Sequence, residues 1–207
     1  MHAGDDRPRE DVGATYDTLG EGYVRAREAM WRIVGPVADF CLVHFIRSHL
    51  AGRSPLRVLD VGCGYGADLD ALRTGLAALQ PPMRMEALGV DLSAWMVDQA
   101  RQRGFACVQG DFRTLPGLEG TFDVVWSNMA LIHVGPDEAP DALRRMVSFL
   151  APDGVLGLGV KSRLSPSDGG LGCEINNPAH GSIQQDRLQT YFDETALRRL
   201  IEGEGLV

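Results

Sequence analysis

Three carboxylates, Asp60, Asp91 and Asp111, each stand at or just past the end of a short apolar run. The first run feeds three glycines at alternate positions, Gly62, Gly64 and Gly66. Gly62 and Gly64 lack a Cβ, so the backbone can turn sharply and a ligand can approach it closely. An acid 27 residues beyond Gly64, Asp91, is placed to accept hydrogen bonds from ribose hydroxyls. Gly110-Asp111-Phe112 offers an acid for an adenine amino group and a ring to pack on the base. His133, with a reference pKa near 6.5, can take a proton from an oxygen or nitrogen nucleophile. Gly62-x-Gly64-x-x-Ala67 also satisfies a relaxed dinucleotide fingerprint, which brings NAD and FAD into consideration. Asp60 argues against them, because its charge repels a pyrophosphate and suits a cationic ligand carrying an ammonium and a sulfonium.

The elements that must position these groups alternate. Arg57 to Val61 reads as a strand, and Ala67 to Leu79 as the helix that aims its unpaired N–H groups at a ligand. Met85 to Val90 is a second strand, followed by a helix over Ala94 to Arg103 that Ser93 can cap. Phe105 to Gln109 and Thr121 to Ser127 are the third and fourth strands. Pro136 to Leu150 reads as a helix with Asp137 and Glu138 in its first turn, and Pro152-Asp153-Gly154 as a turn into a fifth strand, Val155 to Val160. Long crossovers between strands predict an α/β fold: a doubly wound, Rossmann-like, mostly parallel sheet with helices on both faces.

Before the first strand, residues 1–14 read as a disordered polar tail and residues 15–50 as a helical cover, broken at Gly20 to Gly22 and at Gly35-Pro36. Val37, Phe40, Cys41, His44 and Phe45 fall at helical spacing and predict the face that meets the sheet. The main domain is expected over 51–207, with a long polar loop at 162–187 carrying Glu174, His180 and Arg187. A last helix over Thr190 to Glu202 has Asp193 as cap and Leu197, Leu200 and Ile201 on its inner face.

A formal net charge of −8 argues against a broad phosphate-binding surface, and so against nucleic acid. No apolar run is long enough to span a bilayer, and the first fifteen residues have no signal-like apolar stretch. Cys41, Cys63, Cys107 and Cys173 are far apart and read as reduced thiols of a cytoplasmic protein, with no metal-ligand spacing.

Four stretches stand in one order: V-L-D-V-G-C-G-Y-G (58–66), G-V-D-L-S (89–93), Q-G-D-F (109–112) and F-D-V-V-W-S-N (122–128). Together they resemble the class I S-adenosylmethionine-dependent methyltransferases of the small-molecule branch. A-L-I-H-V (130–134), L-A-P-D-G (150–154) and Y-F-D-E-T-A-L-R-R-L (191–200) extend the resemblance. It implies S-adenosyl-L-methionine as cofactor, with S-adenosyl-L-homocysteine as product. Asp60, Gly62, Cys63 and Gly64 would hold the methionine portion. Asp91 would take the ribose, with Leu92 and Met96 beside the adenine, and Gly110, Asp111 and Phe112 would bind and flank that base. Asn128 and Met129 would line the methyl-transfer side, and Tyr16, Tyr23 and Arg27 would form an N-terminal cover. In the family the sheet usually ends with an antiparallel pair after the last helix; here that pair is expected to be lacking.

Methyl transfer from a sulfonium chiefly needs a nucleophile held in line and water kept out. His133 is the expected base. Glu174, His180, Arg187 and Tyr191 are candidates for the acceptor side. The resulting expectation is a metal-independent transferase acting on an oxygen, nitrogen or carbon of a small-molecule acceptor, as a monomer or homodimer. A domain that binds the cofactor without chemistry, as partner or sensor, is one alternative. A nucleotide-dependent oxidoreductase is the other.

Overall fold

A computed structural model describes residues 11–34, 43–161, 172–175 and 188–206. The helices are α1 (Val12–Val34), α2 (Val43–His49), α3 (Ala67–Ala77), α4 (Ala94–Gln102), α5 (Ala139–Ser148) and α6 (Glu194–Gly203). The strands are β1 (Leu56–Val61), β2 (Met85–Asp91), β3 (Ala106–Gln109), β4 (Phe122–Asn128), β5 (Leu150–Gly159), β6 (Gly172–Ile175) and β7 (Leu188–Tyr191). A single 310 turn at Leu131–His133 follows β4.

The main sheet has the order β3-β2-β1-β4-β5. All four of its pairings are parallel. The chain winds outward from β1 in one direction and returns to β4 on its other side. The strand order therefore reverses between β1 and β4, where such sheets open a crevice at their C-terminal ends. Asp60 is the penultimate residue of β1 and Asn128 the last of β4, so both sit at that point.

Side chains alternate across the sheet. Val58, Val124 and Trp126 pack into a core with α2, α3 and α4. Leu59, Val61 and Val125 pack into the opposite core with the 310 turn, α5 and Phe192. The parity carries Asp60, Trp126 and Asn128 to the α3 side. The expected fold is what the chain adopts, and no antiparallel pair is appended to the main sheet among the described residues.

Several boundaries differ from the sequence reading. Residues 12–14 are helical and not a tail, because Asp11 accepts the Ala14 N–H at 3.1 Å and starts α1. A Cβ at Gly13 would lie 2.8 Å from the Leu92 carbonyl oxygen, so this first turn is pressed against the β2–α4 loop. α1 is interrupted at Gly20, as expected, where φ is 43°. The inner face of the next helix is not the expected one. Val43, Ile46 and Leu50 are buried, whereas Phe45 is 45% exposed and stacks on His49. His44 is exposed too, and Val37, Phe40 and Cys41 lie outside the described residues.

α5 starts at Ala139, so Asp137 and Glu138 precede it and Asp141 is its first-turn acid. The Pro152-Asp153-Gly154 turn lies within β5 as an irregularity, with Leu150 opposite Phe122 and Val155 opposite Val124. The stretch 162–187 is not loop throughout. It contains β6, which pairs antiparallel with β7. The final helix starts at Glu194, because Thr190 belongs to β7. Asp193 does cap it, accepting the Ala196 N–H at 2.7 Å. Leu197 and Leu200 are half-buried against the second core.

Candidate active site

The glycine turn after β1 is built by close approach. Gly62 and Cys63 both donate their N–H to the Val90 carbonyl, at 2.7 and 3.1 Å. At Gly62 φ is 75°, and a Cβ there would fall 2.3 Å from the Ala130 Cβ. Only glycine lets the β1 and β4 loops meet at this point. A Cβ at Gly64, where φ is 51°, would meet nothing within 4 Å, so this turn leaves open space above the backbone.

Asp91 stitches the turn to the neighbouring loop. It accepts the Gly64 N–H at 2.8 Å and the Ser93 N–H at 2.9 Å. Burial raises its pKa above the usual carboxylate range, against the lowering effect of these N–H groups. Ser93 caps α4 by accepting the Met96 N–H at 3.1 Å. Met96 itself is 1% exposed. Leu92 is 40% exposed, an apolar surface beside Asp91.

Asp60 is almost wholly buried, and its Oδ2 has no hydrogen-bond partner among the described residues. Burial pushes its pKa well above the usual range, and the charges of Asp68 and Asp91 push it further. Asp68, which the sequence reading passed over, is 8% exposed. Its Oδ2 accepts from Trp126 Nε1 and from Asn128 Nδ2, both at 2.9 Å. The available signal was an acid at the second position of a helix that follows a glycine turn; such acids ordinarily complement the helix dipole from solvent.

Cys63 and Cys107 are free and buried on the same side of β2. A Cβ at Gly89 would lie 2.6 and 2.9 Å from their sulfurs. A hydrogen bond to Cys107 and burial push the Cys63 thiol up.

The expected adenine end is arranged differently from expectation in one respect. Asp111 does not stand clear: Arg113 binds its two oxygens, through Nε at 3.0 Å to each and through Nη2 at 2.6 Å. Burial opposes ionisation of Asp111, but the Arg113 hydrogen bonds outweigh it and lower the pKa. Gly110 donates to the Asp91 carbonyl at 2.9 Å, and Phe112 is buried.

At the end of β4, Met129 has φ of 65°. A bulky residue in the left-handed region stores backbone strain of about 1 kcal/mol or more, and such strain concentrates at functional positions. The turn carries the chain into the 310 segment that ends at His133. There Tyr16 Oη lies 3.0 Å from His133 Nε2. Tyr23 meets Tyr16 edge to face, with centroids 5.1 Å apart. Arg27 is half-buried farther along α1.

Asp17, the residue after Tyr16, ties α1 to the β2–α4 loop. Its Oδ1 accepts from Ser93 Oγ at 2.5 Å and from the Trp95 N–H at 2.9 Å. The structure therefore brings the α1 residues, the β1 turn, Asp91 and the β4 end around one crevice. Tyr191 is in β7, and Glu174 pairs with Gln189 in the small sheet. Thr190 of β7 donates to the Val134 carbonyl at 2.6 Å, next to His133. His180 and Arg187 lie outside the described residues. Among the described residues no group of three acidic, histidine or cysteine side chains is placed to hold a metal ion, and no helix is long and apolar enough to cross a membrane.

The crevice fits a cationic nucleoside cofactor. Unsatisfied buried carboxylate oxygens at Asp60 and Asp68 call for a donor-bearing cation, and Gly64 leaves room for it beside the backbone.

Residues 58–154 match the family described as Methyltransferase domain. Malonyl-[acyl-carrier protein] O-methyltransferase of Enterobacter lignolyticus is 34% identical over 113 residues, covering 54% of this chain and 41% of that protein. The 27-O-demethylrifamycin SV methyltransferase of Amycolatopsis mediterranei is 28% identical over 170 residues, covering 73% of this chain and 59% of its own length. The chain thus spans less than two thirds of these curated relatives. The fold superposes with a TM-score of 0.60 on Burkholderia thailandensis 1,6-didemethyltoxoflavin-N1-methyltransferase, solved with 1,6-didemethyltoxoflavin and S-adenosylhomocysteine. That match is 24% identical and covers 99% of this chain and 86% of the other. The matched segment, which holds the glycine turn and the acid-tipped strands, is thus similar to a methyltransferase domain, and the fold is that of the class I S-adenosylmethionine-dependent methyltransferases.

Proposed function

We propose that this protein transfers a methyl group to an oxygen, nitrogen or carbon atom of a small-molecule acceptor. The observation that carries the reading is the Tyr16–His133 contact at the end of β4, across the crevice from the glycine turn. S-adenosyl-L-methionine supplies an electrophilic methyl group on a good leaving group, so the transfer asks for no Lewis acid. Asp60 and the Gly62–Gly64 turn hold the methionine end, Asp91 the ribose, and Leu92 and Phe112 flank the base. Asn128 and Met129 border the reacting end.

For an acceptor with an O–H or N–H, Tyr16 Oη takes the leaving proton while passing its own to His133 Nε2. The pair acts as one base, and α1 keeps water from the crevice. The names of the relatives favour oxygen acceptors, since one is a malonyl-[acyl-carrier protein] O-methyltransferase and another a 27-O-demethylrifamycin SV methyltransferase. We place the protein in the cytoplasm, as a monomer or homodimer, with no nucleic-acid or membrane partner.

Calorimetric titration with S-adenosylhomocysteine, with NAD as the control, tests the cofactor. Micromolar binding of the former alone is expected; binding of NAD in its place would remove the reading. Product formation from oxygen acceptors in the presence of S-adenosylmethionine then tests the chemistry, and binding without turnover on any acceptor would favour a cofactor-binding partner or sensor.

A further inference from the structure

Asp68 is a buried carboxylate only half used. Its Oδ2 takes two neutral donors, from Trp126 and Asn128, while its Oδ1 has no partner among the described residues. It does not cap α3, whose N-cap makes no side-chain hydrogen bond. Instead it turns under the β4 end, on the same side of the sheet as Asp60. Asp60 Oδ2 is likewise buried without a partner, and it feels the charge of Asp68. Neither acid forms an ion pair with any described residue. Two buried acceptors on one side of the sheet, each without a partner among the described residues and each within reach of the other's charge, call for a ligand that is positive and rich in N–H groups. A primary ammonium meets both needs. A sulfonium is positive but has no N–H to give.

Resting on the cofactor reading above, we propose that Asp68 is a cofactor-binding residue: its free oxygen, with that of Asp60, receives the amino group of the methionine moiety. Asn128 and Trp126 hold the Asp68 carboxylate in place from the other side. The side chain that fixes the β4 end is then also the one that reads the amino acid. Asp68 selects for a ligand with a free ammonium, and not for the nucleoside.

The test compares two ligands, one with the ammonium-bearing amino acid and one without it. S-adenosylhomocysteine carries the ammonium, whereas 5′-methylthioadenosine keeps the nucleoside and thioether without the amino acid. Both are titrated calorimetrically into the wild-type protein and into Asp68→Asn. The variant is expected to lose at least about tenfold in affinity for S-adenosylhomocysteine, the scale of a charge-assisted hydrogen bond. Its affinity for 5′-methylthioadenosine stays within about twofold. Equal losses for both ligands would show a merely structural role and overturn the proposal, as would undiminished binding of S-adenosylhomocysteine. A wild-type protein that binds neither ligand would instead remove the cofactor reading itself. Should Asp68→Asn not fold, wild-type affinities for S-adenosylhomocysteine and its deaminated analogue decide: equal affinities overturn the proposal, and a loss of about tenfold or more supports it.

Discussion

Tyr16 Oη and His133 Nε2 are 3.0 Å apart although 117 residues separate them in the chain. The contact joins the N-terminal helix to the turn after β4, where the proposed function puts the acceptor. If the two act as one base, their removal is not additive. Tyr16→Phe and His133→Ala are each expected to lower kcat by about a hundredfold or more, the usual scale of general-base loss. The double variant is expected to lose little further. Steady-state kinetics with S-adenosylhomocysteine affinity measured alongside checks this: affinities within about twofold of wild type belong to the base reading. Wild-type turnover in His133→Ala would exclude it.

Asp91 accepts two backbone N–H groups, from Gly64 and Ser93, and stands where the ribose hydroxyls are expected. Asp91→Ala is expected to weaken S-adenosylhomocysteine binding by more than about tenfold and to destabilise the fold by about 1–3 kcal/mol, since two buried N–H groups lose their acceptor. Calorimetry and thermal melts read the two effects separately. Destabilisation with unchanged affinity would remove Asp91 from the cofactor site.

Asp60 makes stability depend on pH in an unusual direction. Burial first, then Asp68, Asp91 and Cys107, raise its folded pKa well above the unfolded value. Between those two pKa values the folded chain holds a proton that the unfolded chain has released. Stability therefore falls as pH rises through this window and is regained as pH drops toward the unfolded value. Burial also raises Asp91, which contributes in the same sense. Melting of the ligand-free protein across mildly acid to neutral pH is expected to show this decline, and Asp60→Asn is expected to flatten it. A variant with the wild-type slope would assign the effect elsewhere.

Asp17 fastens α1 to the α4 N-terminus through Ser93 Oγ and the Trp95 N–H. Asp17→Ala is expected to cost about 1–2 kcal/mol, as loss of a helix cap does. It should also open α1 near Gly20, where the helix is already interrupted. Limited proteolysis gives the readout: faster cleavage within residues 12–34, with the rest of the chain unchanged. Wild-type cleavage rates would show that the latch does not hold α1.

Much of the sheet was readable in sequence because parallel strands buried on both sides are written as continuous apolar runs. β1, β2 and β4 fall within a residue of their expected bounds, and Ser93 and Asp193 cap the helices that they precede. Short elements with little apolar content escaped. β6 is Gly-Cys-Glu-Ile within a polar stretch and becomes a strand only by pairing with β7. α2 misled at the two chosen residues that are described, His44 and Phe45, which are exposed. Burial instead went to Val43, Ile46 and Leu50, the side turned to α3. At the site, local spacing revealed the glycine turn and the acids that tip the strands. Asp68 and the Tyr16–His133 contact arise from tertiary approach, which no local pattern records.

Adjacent residues of one helix, Tyr16 and Asp17, reach opposite sides of the crevice: one to His133, the other to the loop beside Asp91. Anything that strengthens one attachment steadies the other. Under the proposed function the acceptor and the cofactor share a single mechanical element, and their affinities are expected to be linked reciprocally. Each substrate, by settling α1, is expected to tighten the binding of the other by the same factor.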